Sequence, residues 1–455
     1  MHTFAVSLAS SMDRIVKIFA IVVVALSVLS LTGFVATELA SGKRWLGPFS
    51  EAGRQFFAFP GLVATVVTSD ETRGIPRTYL PLVDGTEDQN ETINQLDYDL
   101  YGVLSRYDAE DDRWVIDLQN FRDGEIIHSW FYGAELYDSA EDFAFSEAQV
   151  KHGLPLADSS LIVYSRETAN LLRLNADSEV LWHNDDYIFH HSIAVAANGD
   201  IWACASLPGH RKVATKPMNF IFVNSDGGRF ATRDDVMLLL DPDSGEELQR
   251  ISLTELLIRH GLAGIVFGVD GNDDPIHLND IEPALSDGPY WRKDDLFVSI
   301  RNRSIVLHYR PETDEIIRLI QGPFVHQHDV DIASDSTLSL FNNNYARIGG
   351  PERDTTLVVN FELQASNITV YDYARDSFYI HPADGMSTRG LHTMTGGLHH
   401  TLDNGDLFVD LDDFGRVVVF RDGEIIYRTI FPTGNGRHKH ITNWTRVYTK
   451  NPIKS

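Results

Sequence analysis

The segment DGEIIHSW at 123–130 has five relatives further along the chain: DSEVLWHN at 177–184, SGEELQRI at 244–251, TDEIIRLI at 313–320, ARDSFYIH at 374–381 and DGEIIYRT at 422–429. Most place a turn-forming residue before an acidic one, then an apolar β-forming pair; the fifth copy is degenerate. Their first residues are separated by 54, 67, 69, 61 and 48 residues. Periods of this size belong to propeller blades rather than to the shorter coils of solenoids. A second element, NGDIW at 198–202 and NGDLF at 404–408, supplies the Asn-Gly pair of a tight hairpin. Short runs of Val, Ile, Leu, Phe, Tyr and Trp fill the spaces between turns, and long helical periodicity is scarce apart from a short candidate at 252–260. The reading is all-β: a six-bladed β-propeller, each four-stranded sheet burying its faces on its neighbours. A β-sandwich pair also yields many short strands but does not require six related copies.

Working outward, the N-terminal part differs in kind. Residues 18–37, IFAIVVVALSVLSLTGFVAT, run for 20 residues without a charge. As a helix at 1.5 Å per residue this stretch is ~30 Å long, enough to cross a bilayer core. Arg14 and Lys17 precede it and favour a cytoplasmic N-terminus, although Lys43 and Arg44 lie on the far side. The expectation is an uncleaved signal anchor with the remainder outside the cytoplasmic membrane, in the periplasm or beyond the cell. A cleaved signal peptide is the competing reading, with small residues near 36–40 as its site. The expected organisation is a short cytoplasmic N-terminus at 1–17, the anchor at 18–37, a juxtamembrane lead-in at 38–95 and the propeller at 96–455.

Composition narrows the function. With 38 Lys+Arg against 65 Asp+Glu the net charge is −27, which disfavours a nucleic-acid surface and adhesion to anionic lipid. The single cysteine, Cys204, excludes an intramolecular disulfide and a thiolate zinc cage. The 18 histidines cluster in FHHSIAVAANGDIW (189–202), DPIHLNDIEPAL (274–285), GPFVHQHDVDIASDSTLSLF (322–341) and GGLHHTLDNGDLFV (396–409). In each the His stands just before an apolar strand leading to a turn, so a propeller brings these residues together on its axis. Taken singly, each of them is more often a hydrogen-bonded structural residue. His438 and His440, in GRHKH, read as a solvated tail.

Over residues 98–430 the chain resembles the bacterial arylsulfate sulfotransferases, which work without a nucleotide sulfate donor. The resemblance is carried by the HHSI…ANGDIW block, the His277-Leu278-Asn279 triplet followed by VSIRNRSIVLHYRPETDEIIRLI, and the QHDV block with its downstream LFNNN. It implies a histidine in the propeller funnel that becomes transiently sulfated, here His328. It further implies His277 and Asn279 as the H-x-N pair, Arg301 as the sulfate-binding arginine and His191 as a supporting histidine. Asp329, His399 and Arg303 complete the expected substrate-binding set, with Asp329 a candidate for orienting the His328 ring.

The chemistry suits these residue types. A neutral imidazole is a competent nucleophile near neutral pH, and sulfuryl transfer needs positioning and neutralisation of spread negative charge. An anionic substrate entering so acidic a chain requires a locally positive funnel. The implied partners are aryl sulfates and phenols, with no nucleic acid, no cofactor and no metal, the membrane through the N-terminal helix, and a homodimer as an admissible assembly. Two other functions remain open on the residues alone: a propeller whose axial histidines hold a transition metal for oxygenase or hydrolase chemistry, and a non-catalytic propeller that binds a partner on its rim.

Overall fold

Six sheets of four strands or more, arranged as blades, make up the body of the protein in a computed structural model. It describes residues 76, 78–82, 92–136, 145–165, 170–207, 220–223, 229–268, 274–345 and 365–453. The uncharged run at 18–37 lies outside them, and among the described residues no helix is long and apolar enough to cross a membrane. The propeller lies within the unit Arg77–Ser455.

Blade 2 is built from Val150–Pro155, Leu161–Ser165, Leu171–Leu174 and Val180–Asn184, each antiparallel to the next. Blade 3 uses Ile188–Val195, Ile201–Ser206, Asp235–Leu240 and Glu247–Ser252. Blade 4 uses Leu278–Pro283, Leu296–Ile300, Ile305–Arg310 and Glu315–Ile320. Blade 5 uses His328–Ile332, Thr337–Asn342, Asn367–Asp372 and Ser377–Ile380. The first strand of each is innermost, and inner strands pack on one another from blade to blade. Second strands such as LIVYS (161–165), LFVSI (296–300) and LFVDL (407–411) are buried throughout, covered on both faces, which is why they read as unbroken apolar runs.

All six repeats fall on the turn between the third and fourth strands of a blade. In every copy a residue one or two places before the fourth strand has a left-handed backbone: Gly124, Ser178, Gly245, Asp314, Asp376 and Gly423, with φ between 48° and 81°. Gly, Asp and Ser tolerate that conformation to different degrees, so the turn survives while its letters vary. The uneven spacing comes from insertions outside this hairpin. Blade 3 carries an extra hairpin, Phe220–Val223 with Arg229–Thr232, between its second and third strands. Two short helices, Leu253–Arg259 and Ala263–Phe267, separate blades 3 and 4. Ser252 caps the first, its hydroxyl accepting Glu255 N–H at 3.1 Å.

The ends of the chain close the ring. Blade 1 consists of Tyr101–Asp108, Arg113–Asn120 and Ile126–Gly133, and its innermost strand is the C-terminal Arg446–Tyr448. Blade 6 consists of Leu398–Thr401, Leu407–Leu411, Arg416–Arg421 and Glu424–Ile430, and gains Ile93–Asn94 as a fifth, outermost strand. At this junction Phe121 of blade 1 stacks on Tyr427 of blade 6, ring centroids 5.4 Å apart at 13°. Such a pair contributes about 0.5–1.5 kcal/mol beyond its burial. The lead-in at 38–95 thus supplies strands to the propeller unit, since Tyr79–Pro81 also pairs with His438–His440. That pairing buries His438 and His440 to 7% exposure each, so GRHKH is a strand and not the solvated tail its charge suggested.

Candidate active site

On the inner strands the backbone departs from regular pleat at matching places. Register shifts interrupt pairing between Lys151 and Leu154 in blade 2, Phe189 and Ile193 in blade 3, Leu278 and Asp280 in blade 4, and His328 and Val330 in blade 5. At or beside each shift sits a residue with positive φ that is not glycine: His152 (49°), His191 (59°), His277 (55°) and Asp329 (49°). Such bulges re-aim side chains, and left-handed residues other than glycine concentrate at functional sites. Their outcome is a cavity of about 360 Å³ lined by His190, His191, His277, His328, Lys151, Arg233, Arg301 and Trp444, among others.

The rings form a tight group. His191 lies 5.0 Å from His277 and 6.0 Å from His328 between ring centroids, and Trp444 lies 5.5 Å from His191 and 5.8 Å from His328. Burial first, then the charges of Arg301, His277 and Lys151, push the His328 imidazole well below its ordinary value, against the opposing effect of Asn343. His191 is pushed the same way by burial and by His277, His190, His328 and Lys151. Both are therefore neutral at neutral pH.

The orientation of His328 is set by a chain of hydrogen bonds that ends in blade 6. Its Nδ1 lies 2.6 Å from Asn343 Oδ1. Asn343 Nδ2 donates to the carbonyls of Thr393 (3.1 Å) and Gly396 (2.7 Å), which fixes the amide so that Oδ1 must accept. His328 Nδ1 therefore carries the hydrogen, and the lone pair sits on Nε2. Asp413 holds the 393–396 loop, accepting from Thr393 Oγ1 and from the N–H and Oγ1 of Thr395, each at 2.8 Å. Gly397 completes this approach: with φ of 104° it brings the backbone against Phe341, whose ring a methyl group there would meet at 2.6 Å.

His277 Nδ1 lies 2.6 Å from Asp274 Oδ2. Burial pushes the Asp274 carboxyl up, but the hydrogen bond and charge of His277 outweigh it and hold the group well below the usual carboxylate range. Arg301 begins the turn after the second strand of blade 4, and its N–H donates to the His277 carbonyl at 3.1 Å. Its Nη1 donates to Asn302 Oδ1 at 2.9 Å, while Nε finds no acceptor among the described residues. The Trp444 indole N–H, on a side of the cavity where the residue is 2% exposed, also finds none. Lys151 pairs with Asp412 at 3.1 Å and lies 5.7 Å above the Trp444 ring. The lining thus carries three cations, Lys151, Arg233 and Arg301, against Asp412 and Asp413, whose oxygens are already engaged. It is a locally basic pocket in an acidic protein.

Four of the expected residues, His328, His277, His191 and Arg301, line this cavity together. Asn279 does not: fully buried, its Nδ2 donates to the Gln327 carbonyl at 2.7 Å, so it acts on the backbone that leads into His328. Asp329 does not orient His328. Its Oδ2 accepts the His399 N–H and meets His399 Nδ1, both at 2.6 Å, and His399 Nε2 lies 2.7 Å from Ser339 Oγ. Arg303 turns away as well, donating to the carbonyls of Ile265 (2.5 Å) and Val266 (3.2 Å) in the second short helix.

Sequence reasoning missed His190, Lys151, Arg233, Asn343 and Trp444. One signal was available: VKHGLP at 150–155 has the His-before-strand form of the other clusters. The rest depended on contacts between residues far apart in the chain.

No curated protein sequence matches the chain significantly. Among solved structures, it is similar to a protein of unknown function from Bacteroides caccae, at 9% identity over 73% of this chain and 94% of that one, with a TM-score of 0.44. The hydrazine synthase of Kuenenia stuttgartiensis gives 13% identity over 62% and 79%, with a TM-score of 0.35. A catalytically inactive virginiamycin B lyase from Staphylococcus aureus gives 10% over 75% and 99%, with a TM-score of 0.33. At such TM-scores these likenesses carry no argument. The family model for arylsulfotransferase (ASST) is different in kind, for it matches residues 152–431, which take in blades 2 to 6 and the histidines of the cavity. This chain belongs to the arylsulfotransferase (ASST) family.

Proposed function

We propose that the protein moves a sulfuryl group from an aryl sulfate to a phenolic acceptor, without a nucleotide sulfate donor, through a sulfohistidine on His328. The observation that carries this reading is the neutral His328 ring, locked by Asn343 with its Nε2 lone pair free, in one cavity with the Arg301 guanidinium. In the first half-reaction Nε2 attacks sulfur, the N–S bond forms and the S–O bond to the aryl group breaks. Arg301 holds sulfuryl oxygens as charge shifts towards the leaving oxygen. His277, held at Nδ1 by Asp274, serves as the acid that gives a proton to the departing phenolate. In the second half-reaction the acceptor phenol loses its proton to His191 and attacks sulfur, and the N–S bond breaks. The proton returns from His191 to His277, ring to ring across 5.0 Å. No cofactor enters this scheme.

The axial-metal reading has less support. Among the described residues the group with ligand atoms close enough to hold an ion is Asp329, Asp331 and His399, not the cavity histidines. His399 already uses both nitrogens, and its carboxylate partners offset burial to push it above its ordinary value, which suits an imidazolium in an ion pair better than a metal ligand.

Incubation with a chromogenic aryl sulfate and no acceptor, followed by peptide mass spectrometry, tests the reading. A sulfuryl adduct on the peptide containing His328 is expected; turnover with an adduct elsewhere, or with none in rapidly quenched samples, would remove it. We also place the catalytic unit outside the cytoplasmic membrane, held by residues 18–37. Reporter fusions after Gly42 should be active only in the form that works outside the cytoplasm, and activity solely from a cytoplasmic reporter would reverse that placement.

A further inference from the structure

We infer that His190 and Asp235 form a proton relay behind His191, fixing which of its ring nitrogens meets the acceptor phenol and sharing the charge once the proton has moved. This rests on the reading of His191 as the base. Neighbouring residues on a strand ordinarily send their side chains to opposite faces. The positive φ of His191 and the register shift between Phe189 and Ile193 instead bring both rings together, with their Nδ1 atoms 2.9 Å apart. Two lone pairs cannot face one another at that distance, so one of these nitrogens carries a hydrogen.

The far side of His190 decides which. Its Nε2 lies 3.4 Å from Asp235 Oδ1, an oxygen that Arg233 Nε also meets at 2.9 Å. Asp235 Oδ2 accepts the Leu278 N–H at 2.8 Å, so the carboxylate is held from two sides. Burial pushes this carboxyl up, but Arg233 and His190 outweigh it and keep the group ionised. An ionised carboxylate only accepts, so the hydrogen of neutral His190 sits on Nε2 and its Nδ1 is the lone pair. His191 Nδ1–H then donates to it, and His191 Nε2 is the bare nitrogen available to substrate.

When the acceptor O–H bond breaks and its hydrogen joins His191 Nε2, the hydrogen on His191 Nδ1 crosses to His190 Nδ1. The positive charge then lies on His190, beside Asp235. His190 is 3% exposed and Asp235 1%, so water screens this attraction little. The 3.4 Å approach of His190 Nε2 to Asp235 Oδ1 is a close charge contact and not an aligned hydrogen bond in the resting protein; catalytic hydrogen bonds often tighten only once substrate binds. Other charged and titratable groups facing the pair are Lys151 from blade 2, Asp274 and His277 ahead of blade 4, and His328 from blade 5. Asp274 serves His277 in the same way, so each acid–base ring has its own carboxylate. His190 is accordingly a positioning residue, acting through His191.

Two measurements test this on the full chain. With histidine labelled in ¹⁵N, two-bond hydrogen–nitrogen correlations should show His191 as the Nδ1–H tautomer and His190 as Nε2–H; the reverse pair overturns the relay without any variant. For kinetics, the second half-reaction is followed from sulfated enzyme to an added phenol, across the pH of that phenol's ionisation. His190→Phe should slow it by about 10- to 100-fold while the phenol is protonated, and the deficit should shrink once the phenol is already phenolate. His190→Asn, which keeps an acceptor where Nδ1 was, should fall between. Thermal melting shows whether each variant folds. A deficit that stays constant with pH overturns the relay. If His191→Ala shows the shrinking deficit and His190→Phe does not, the relay alone fails; if neither shows it, the assignment of His191 as base fails with it.

Discussion

His328→Ala should form no sulfuryl adduct and should carry out neither half-reaction. Removing a covalent nucleophile that acts with its supporting groups costs on the order of 10⁶ in rate in the best-studied enzymes, so a loss of at least about 10⁴ is expected. The argument is specific to this position because Asn343 presents the Nε2 lone pair of His328 to the cavity. His277 is instead paired with Asp274, and His190 lies between His191 and Asp235; His191, whose Nε2 is also bare, is the ring that residual transfer in the variant would implicate. The pH dependence follows from the direction of the shift. Burial and Arg301 hold the His328 imidazole well below 6.5, so it stays unprotonated as pH falls through 6.5. The acid limb of the wild-type donor half-reaction should therefore lie below that pH, with no loss between 7 and about 6.5. Rapid-quench measurement of the adduct and of phenol release, for wild type and variant, provides the check. A variant that still releases phenol in a stoichiometric burst would move the nucleophile to another ring.

Arg301→Ala should slow the donor half-reaction by about 10²–10³, the range seen when one donor to a developing oxyanion is removed. The Arg301 backbone N–H is held on the His277 carbonyl and the guanidinium Nη1 on Asn302 Oδ1, while Nε has no protein acceptor among the described residues. Burial pushes it below its ordinary value, with Asp274 opposing, but an arginine starts so high that it remains charged. A buried guanidinium with one donor unpartnered costs free energy in the resting protein, and its contacts can strengthen as the sulfuryl oxygens gain charge. Arg301→Lys should recover only part of the loss, because a point charge cannot reproduce the planar fork. In both variants His328 should still acquire its adduct, more slowly. Single-turnover rates for Arg301→Ala within threefold of wild type would show that Lys151 or Arg233, and not Arg301, carries the sulfuryl oxygens.

The fold was legible because its signal is local. A hairpin turn with a left-handed residue, before an acidic one in all copies but that of Asp376, imposes the same few letters, and Gly124, Ser178, Gly245, Asp314, Asp376 and Gly423 mark all six blades. Buried second strands read as apolar runs for an equally local reason. The clustering of histidines ahead of inner strands was visible too, since blade symmetry converts equal places in the repeat into neighbours around one axis. Ring closure was not visible, for Arg446–Tyr448 pairs with Tyr101–Asp108 across more than 300 residues and carries no repeat of its own.

Within the site, the sequence by itself brought His191, His277, His328 and Arg301 to one place, and the tertiary structure decided what each one faces and which other residues join them. Asp329 and His328 are neighbours in the chain, yet a bulge with φ of 49° sends the carboxylate to His399 in blade 6 and leaves His328 to Asn343. Arg301 and Arg303 belong to the same short turn, but one lines the cavity and the other reaches helix carbonyls at Ile265 and Val266. His190 and His191 look like alternate-face residues until the bulge brings them to 2.9 Å. In a regular strand the direction of a side chain follows from counting by two; at a bulge it follows from which neighbouring blade offers the hydrogen bond, and that partner lies tens to hundreds of residues away.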